Sequence, residues 1–308
     1  MGTPAFAADS LLALLEAGHA IVAVVTRPDA PAGRGRALAP SAVKLLALEH
    51  GLPVLQPAGV RGAALLDDLA AREPDIVAVV AFGRILPDPM LRLGRYGAVN
   101  VHASLLPRYR GAAPIAWAIA RGEAETGVTT QRMVSRLDAG DVLLQRATPI
   151  GPRETAAELE RRLAAMGARL LVETLDALEG GSVLPKPQDE SLVTMAPLLK
   201  KEDGWIDWRA EPPAIDRRVR AFDPWPVAHT SLRGGRSLRV WKVEPLAGAS
   251  SAGDEPGTVL DTTAGPAVAC GGGVIRLLEV QPEGRNRMAA QAAVAGRYLA
   301  TGDRLGSP

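Results

Sequence analysis

Residues 97–111 read G-A-V-N-V-H-A-S-L-L-P-R-Y-R-G. The apolar residues at the start of this segment predict the end of a buried strand, and they alternate with Asn100 and His102. Because residues two positions apart in an extended chain point to the same face, an amide and an imidazole should project together where the strand ends. Ligands of open α/β sheets bind at that edge. The segment therefore predicts a polar site at the carboxyl end of a strand.

Outward from this segment, buried strands alternate with helices through residue 101. The runs A-I-V-A-V-V-T at 20–26 and D-I-V-A-V-V-A at 75–81 predict strands, and the pattern at 6–18 predicts a helix. This alternation predicts an α/β fold with a doubly wound, mostly parallel sheet. A helix that joins parallel strands needs a strand before it, yet the sequence opens with Met1 where that strand should end. We therefore expect the first strand to be missing and neighbouring backbone groups to lack partners.

The pattern N-x-H-x-S-L-L-P-x-Y-R-G, continued by R-G-A-A-P-I to Ile115, resembles the signature of the folate-dependent formyltransferases. Within them it is most similar to those that act on methionyl-tRNA. The resemblance covers about residues 2–295. It implies a Rossmann-like catalytic domain at 1–184, a linker at 185–203, where periodicity is lost, and a small OB-like, tRNA-binding β-barrel domain at 204–308.

The resemblance also implies roles for individual residues. Asn100 and His102 are the expected catalytic residues, together with Asp138, the first acidic residue of L-D-A-G-D at 137–141. Asp141 remains an alternative, because the sequence alone does not separate the two carboxylates. Contacts to the folate are expected from Ser104, Leu105, Leu106, Pro107, Phe82 and Gly83.

A proline-rich segment at 27–40 reads R-P-D-A-P-A-G-R-G-R-A-L-A-P. Its prolines and glycines predict a long exposed loop that forms neither helix nor strand. Arginine suits contact with phosphate. In the resembling family an insertion loop of the form P-A-G-R-G contacts the initiator tRNA, which implies tRNA-binding roles for Arg34 and Arg36.

Composition limits the other possibilities. The net charge of +1 gives no global field that would attract nucleic acid, so local basic clusters must do so. The single cysteine, Cys270, excludes an internal disulfide framework, and its apolar surroundings predict a buried thiol. Four histidines without metal-ligand spacing predict no metal site. Neither a membrane-spanning run nor a signal peptide is evident, so we expect a cytoplasmic protein, without DNA or membrane partners, that is a monomer.

The implied reaction is transfer of the formyl group from 10-formyltetrahydrofolate, a co-substrate, to methionyl initiator tRNA. Such a transfer needs removal of a proton from the amine, stabilisation of an oxyanion and return of a proton to the folate nitrogen. Asn100 can donate to the oxyanion, and His102 can donate or shuttle protons. Asp138 would orient the imidazole or relay protons. Which group takes the amine proton is left open by the sequence.

Three alternatives share these residues. A formyltransferase for a small amine, such as a nucleotide-linked amino sugar or glycinamide ribonucleotide, would need no arginine loop. A deformylase would pass the formyl group to water, and an RNA-binding protein could have lost activity with its first strand.

In the C-terminal part, we expect a helix at 214–221, strands at 237–243, 257–260 and 274–280, and a frayed tail at 301–308.

Overall fold

Residues 1–32, 37–247 and 254–306 are described by the computed structural model of the chain. They form two units. The α/β unit consists of Met1–Pro114, Glu125–Pro149 and Glu160–Pro197, and the β unit of Ile115–Ala124, Ile150–Leu159 and the chain from Leu198 onward. The β unit therefore contains two short internal segments in addition to the last third of the chain. A single boundary in the sequence cannot describe this division.

The helices are α1 (Ala5–Glu16), α2 (Ala42–Glu49), α3 (Ala63–Ala70), α4 (Asp88–Leu91), α5 (Pro114–Arg121), α6 (Ala156–Glu179), α7 (Pro212–Ala221) and α8 (Ala290–Ala295). The strands up to residue 196 are β1 (Val24–Val25), β2 (Ala30–Ala32), β3 (Ala37–Ala39), β4 (Val54–Leu55), β5 (Val77–Val80), β6 (Ala98–His102), β7 (Arg110–Gly111), β8 (Glu125–Arg132), β9 (Val142–Pro149) and β10 (Met195–Ala196). No described helix is both long and apolar enough to cross a membrane.

The sheet of the α/β unit is mixed. Strand β1 pairs in parallel with β4, and β5 pairs in parallel with β6. Strand β8 then pairs antiparallel with both β6 and β9. The expectation of a mostly parallel sheet thus holds only for the first half of the unit. The connection from β8 to β9, residues 133–141, contains no helix, and such a short link can join antiparallel strands but not parallel ones.

The two faces of this sheet pack against different helices. On one face, a Cβ added at Gly167 of α6 would meet Val101 and Val128, and the Thr174 hydroxyl of α6 lies 2.8 Å from that of Thr130. On the other face, the buried residues of β5 pack with those of α3 and α4 in one apolar cluster (Val77, Val79, Leu69, Met90 and Leu91). Alternate residues of β5 and β6 therefore face opposite sides of the sheet.

Met1 and Gly2 lie in the sheet between β1 and β5. The Gly2 N–H donates to the Val25 carbonyl (3.0 Å), and the Val80 N–H donates to the Met1 carbonyl (2.9 Å). These two residues thus fill the carboxyl end of the strand position expected ahead of α1. The run at 20–26 forms a ladder only at β1, next to this end.

A cavity of about 560 Å³ lies beside Met1 at the amino end of the sheet. Residues 20–25 and 74–78 line it, and Val22 in the first of these segments is 39% exposed. The Met1 amine donates to the Ala78 carbonyl (2.6 Å), and its burial lowers its pKa to about 5. Apolar strand residues and a buried amine therefore border the same cavity.

The expectation that 27–40 forms no strand is wrong at both ends of the segment. Strands β2 and β3 pair antiparallel there, with Pro31 opposite Leu38. Proline is tolerated because β2 has a single partner, so its missing N–H removes no second ladder bond. Arg34 and Arg36, between the two strands, lie outside the described residues.

The β unit contains an antiparallel sheet and the helices α7 and α8. Its strands are β11 (His229–Ser231), β12 (Ser237–Leu246), β13 (Val259–Asp261), β14 (Ala267–Cys270), β15 (Gly273–Pro282) and β16 (Met288–Ala289). They are ordered β11-β12-β15-β14-β13, with β16 also paired to β15. The expected helix at 214–221 and the three expected strands are present within one or two residues of their predicted bounds, except that β12 ends three residues later than expected.

Residues 301–306 are not frayed, contrary to expectation. Gly306 exchanges both backbone hydrogen bonds with Ser231 of β11, and the Leu305 N–H donates to the Gly257 carbonyl, beside β13. The Leu305 side chain is 2% exposed. The last described residues thus pair with both edges of the sheet because their apolar side chain completes its core.

Candidate active site

Strands β6 and β8 place four polar residues on one face of the sheet. Asn100 lies opposite Gln131, and His102 lies opposite Thr129. Because α6 contacts Val101 and Val128, which alternate with these positions, the four face away from α6. His102, Gln131 and Thr129 are buried, and Asn100 is half-buried. The predicted polar site at the end of β6 therefore extends onto β8.

His102 lies between a backbone carbonyl and a carboxylate. Its Nε2 lies 2.8 Å from the Tyr109 carbonyl oxygen, and its Nδ1 lies 3.7 Å from Oδ2 of Asp138. A carbonyl only accepts, so Nε2 carries a hydrogen and donates. Nδ1 is then the nitrogen that gains or loses a proton, and the Asp138 carboxylate stabilises that proton when it is present. The pair can therefore hold one exchangeable proton in a largely buried position.

The loop between β8 and β9 carries Asp138 to this histidine. Oδ2 of Asp138 accepts from the Gly111 N–H (2.9 Å), and Oδ1 accepts from Nε2 of Gln131 (3.0 Å). Asp141, the alternative carboxylate, contacts the ladder through its main chain, where its carbonyl accepts from the Arg132 N–H (2.9 Å). The structure thus brings the side chain of Asp138 to His102.

The backbone of this site is unusually constrained. Asp138 has φ +46° and Tyr109 has φ +61°, values that non-glycine residues rarely adopt and that cost about 1–3 kcal/mol each. Gly140 follows in the same loop, and a Cβ there would lie 1.6 Å from the Arg132 carbonyl oxygen. Only glycine fits at that position. The loop is therefore held against β8 at van der Waals distance, in a conformation that surrounding contacts must impose.

Thr129 and Gln145 anchor the segment 104–107, to which the resemblance assigns folate contacts. The Thr129 hydroxyl donates to the Ser104 carbonyl (2.6 Å) and accepts from the Leu106 N–H (3.1 Å). Nε2 of Gln145 donates to the Leu106 carbonyl (3.0 Å) and the Thr129 hydroxyl (2.8 Å). The Ser104 hydroxyl is itself buried and donates to the Arg108 carbonyl (2.6 Å). Buried hydrogen bonds thus fix the shape of this segment.

Within that segment, Leu105 and Pro107 are partly exposed, whereas Leu106 is buried. The second expected folate-binding segment, at Phe82 and Gly83, directly follows β5, the parallel neighbour of β6. Phe82 packs into the apolar cluster beside β5, and the Gly83 carbonyl accepts from Nη2 of Arg27 (2.6 Å). Both segments therefore emerge at the carboxyl edge of the sheet, where β5 and β6 end.

A network of polar side chains contacts the loop that carries Asp138, and the sequence alone does not predict this network. Arg110, which is 5% exposed, donates to Oε1 of Gln188 and to the Glu190 carboxylate. Nε2 of Gln188 donates in turn to the carbonyls of Asp138 (2.8 Å) and Gly140 (2.7 Å). Gln131 gives no distinct signal, because β8 is polar at most positions and its sequence resembles that of an exposed strand. Gln188 gives none, since P-K-P-Q-D-E has no periodicity.

Other sequence expectations concern positions away from this network. Cys270 is buried, and burial raises the pKa of its thiol to about 11. No group of three histidine, cysteine, aspartate or glutamate residues suited to a metal ion occurs within 1–32, 37–247 and 254–306.

Comparison with known proteins places this architecture in a family. Residues 1–175 match the model of the formyl transferase domain, and residues 198–298 match that of the formyl transferase C-terminal domain. The chain belongs to the formyl transferase family. The methionyl-tRNA formyltransferase of Geobacter metallireducens is 48% identical over 306 residues, covering 99% of this chain and 97% of that protein. The methionyl-tRNA formyltransferase of Methylococcus capsulatus is 50% identical over 306 residues, covering 99% and 98%.

Solved structures of formyl transferases share the fold. The N-formyltransferase of Helicobacter canadensis, in complex with folinic acid and dTDP-3-aminofucose, superposes with a TM-score of 0.67 at 18% identity, covering 91% of this chain and 97% of that one. HypX from Aquifex aeolicus in complex with tetrahydrofolic acid gives a TM-score of 0.59 at 22% identity, covering 82% and 44%. At these identities the likeness concerns the fold alone.

Proposed function

We propose that this chain transfers the formyl group of 10-formyltetrahydrofolate to the amino group of methionyl initiator tRNA, giving N-formylmethionyl-tRNA for translation initiation. One observation carries the choice of acceptor. The chain matches methionyl-tRNA formyltransferases at 48–50% identity along nearly the whole length of both proteins. The structural neighbours include an enzyme solved with a nucleotide-linked amino sugar, so the fold by itself does not select the acceptor.

We assign the chemistry to Asn100, His102 and Asp138. The half-buried Asn100 amide supplies a donor for the oxyanion that forms when an amine attacks a formyl carbon. Nδ1 of His102 takes up or releases the proton that moves between the amine and the leaving folate nitrogen. Asp138 stabilises the charged imidazole across 3.7 Å. The Tyr109 carbonyl keeps the ring in one orientation, because it accepts the hydrogen on Nε2.

The folate-binding role of Ser104, Leu105, Leu106 and Pro107 is part of this proposal. Anchoring by Thr129 and Gln145 supports it, since a segment with fixed backbone groups can bind a flat ligand with little ordering cost. Leu105 and Pro107 offer exposed apolar surface, whereas the buried Ser104 hydroxyl serves to shape the segment. Phe82 and Gly83, which follow β5, are assigned a second set of folate contacts at the same edge of the sheet.

The tRNA is assigned to two parts of the chain. Arg34 and Arg36 supply cationic groups between β2 and β3, and arginine suits bidentate contact with phosphate. The β unit is the second part. Its antiparallel sheet, bridged at both edges by residues 304–306, supports a small barrel of the OB type, a fold that binds nucleic acids. We further propose that the protein acts in the cytoplasm as a monomer.

Formyl transfer to charged initiator methionyl-tRNA tests this function, with elongator methionyl-tRNA as the matched control. We expect formylation of the initiator tRNA and little or none of the elongator. Equal rates for both would remove the assignment of initiator recognition. Transfer only to a small amine, such as a nucleotide-linked amino sugar, would identify a different acceptor, and release of formate without any acceptor would identify a deformylase.

A further inference from the structure

Asp138 adopts a backbone conformation that is uncommon outside glycine. Its φ of +46° lies in the left-handed region, which aspartate and asparagine adopt more often than other side chains but only at isolated positions. Its carboxylate nevertheless points to Nδ1 of His102, with the Gly111 N–H and Gln131 bound to its two oxygens. These side-chain bonds direct the carboxylate but do not hold the main chain. The main chain is held at Asp141, whose carbonyl accepts from the Arg132 N–H, and the carbonyls on either side of Ala139 have a different donor.

Gln188 supplies that donor. Its Nε2 donates to the Asp138 carbonyl at 2.8 Å and to the Gly140 carbonyl at 2.7 Å. These are the two shortest contacts of an amide nitrogen that carries two hydrogens, and Oε1 of Gln131 lies further away at 3.4 Å. They link the carbonyls before and after Ala139 to a single atom. Gln188 lies 50 positions further along the chain than Asp138, so the contact depends on tertiary structure.

Arg110 determines which end of the Gln188 amide faces the loop. Its Nε and Nη2 both donate to Oε1 of Gln188, at 3.0 and 2.8 Å. An arginine has no acceptor, so the amide oxygen must face Arg110 and the nitrogen must face the two carbonyls. Glu190 binds the other side of the same guanidinium and also accepts from Arg136. The donors of Arg110 therefore fix the orientation of the Gln188 amide.

We infer that Gln188 is a positioning residue for the formyl transfer, which it serves by holding the 138–140 loop so that Asp138 faces His102. The inference rests on the proposed function of that pair. Asp138 is then the group through which Gln188 acts, and Gln188 itself touches neither substrate. Displacement of a catalytic group by about 1 Å can lower a rate by about 10²-fold, which sets the scale of the effect.

Kinetics of Gln188→Ala test the inference, with Ser191→Ala as a control in the same segment. The Ser191 side chain is exposed and bonds only within its own turn, to Asp189. We expect Gln188→Ala to lower kcat by about 10-fold to 10²-fold and to leave KM for the formyl donor within about two-fold. Ser191→Ala should keep the wild-type kcat.

A double-mutant cycle separates positioning from general destabilisation. In an Asp138→Asn background, Gln188→Ala should have little further effect on kcat, because the group it positions has already lost its charge. Gln188→Glu is the second variant. It retains an oxygen for Arg110 but places another oxygen against the two carbonyls, so it should lower kcat at least as much as Gln188→Ala.

Two outcomes would overturn the inference: wild-type kcat in both Gln188 variants, or an equal loss of kcat from Gln188→Ala with and without Asp138→Asn. Failure of the proposed function is a separate result, because it would appear as inactivity of the wild-type chain on initiator methionyl-tRNA. In that case the same cycle is measured on hydrolysis of 10-formyltetrahydrofolate to formate, where the same non-additivity is expected.

Discussion

At the carboxyl end of the α/β sheet, buried polar groups bind one another, whereas at its amino end a buried amine borders a cavity. His102 and Arg110 are buried, and Asp138 is largely buried. The His102 ring lies 3.7 Å from the Asp138 carboxylate, and Arg110 donates to the Glu190 carboxylate. At the other end, a cavity of about 560 Å³ lies between residues 20–25 and 74–78, and the Met1 amine lies beside this cavity. One end of the sheet thus carries a hydrogen-bonded polar site, and the other end borders an unfilled cavity.

The difference shows how far strand propensity depends on a neighbour. The run at 20–26 is rich in β-branched residues throughout, but it forms a ladder only at Val24 and Val25. Gly2 hydrogen-bonds to Val25, and upstream of that contact Val22 is substantially exposed. Apolar sequence alone therefore does not complete a sheet. A partner must supply backbone groups at each position.

The largest expected effect is at the carboxyl end. We expect His102→Ala to lower kcat by about 10² or more, because no other group there can exchange a proton at the position of Nδ1. The variant should remain folded, since leaving the Tyr109 carbonyl without its donor costs about 1–3 kcal/mol. Steady-state kinetics with initiator methionyl-tRNA measure the loss. His50→Ala, at an exposed helix end, is the control, and wild-type turnover in His102→Ala would remove the assignment.

The second prediction concerns the amino end. Five apolar β-branched residues added before Met1 should raise Tm, because they fill the cavity and replace the buried amine by an amide. The pKa of the amine is lowered to about 5 from 8.0, so the unfolded chain binds more protons between these values. The stability of the unextended chain should therefore rise with pH from 5 to 8. At pH 7 the amine costs on the order of 1 kcal/mol.

A glycine-serine extension of equal length separates the two causes. It removes the buried charge without filling apolar space, so it should remove the amine's contribution to the pH dependence between 5 and 8 but raise Tm less than the apolar extension. Thermal melts followed by circular dichroism at pH 5, 6.5 and 8 compare the three chains. Identical Tm values for all three would show that the cavity and the amine have no influence on stability.

The smallest expected effect lies at the outer side of the Arg110 network. The hydrogen bond from Arg110 holds the pKa of the Glu190 carboxyl below its ordinary value of 4.5. A lowered pKa stabilises the fold above the unfolded value, and this contribution is lost as the pH falls through the folded value. Glu190→Gln should therefore lower Tm slightly at pH 7, and by less at pH 3. An equal Tm difference at both pH values would exclude a role for the charge.

The sequence predicts the central part of the fold well, for a physical reason. Strands buried on both faces, such as β5, consist of continuous apolar residues, and these are visible without any partner. The antiparallel direction of β8 was not predictable in this way, since its polar residues resemble those of an exposed strand. Four of them are buried, namely Thr126, Thr129, Thr130 and Gln131. Their partners come from other segments and cannot be identified from local pattern.

The candidate site was predictable only in part. Asn100 and His102 follow from alternation in one strand, but the choice of Asp138 over Asp141 came from resemblance, and the geometry that distinguishes them is tertiary. Gln188 could not be found, because its role depends on Arg110 and on the carbonyls of a distant loop. Residues whose function is to orient others leave little trace in a single sequence.

The pairing of residues 304–306 with both edges of the β unit has a consequence for synthesis on the ribosome. Ser231 and Gly257 belong to segments that leave the exit tunnel early, whereas their partners Gly306 and Leu305 leave it more than 45 residues later. Throughout that interval both edges lack these partners and are open to other chains. A nascent chain that stalls shortly before residue 304 would therefore expose unpaired edge groups, which promote association between unfinished chains.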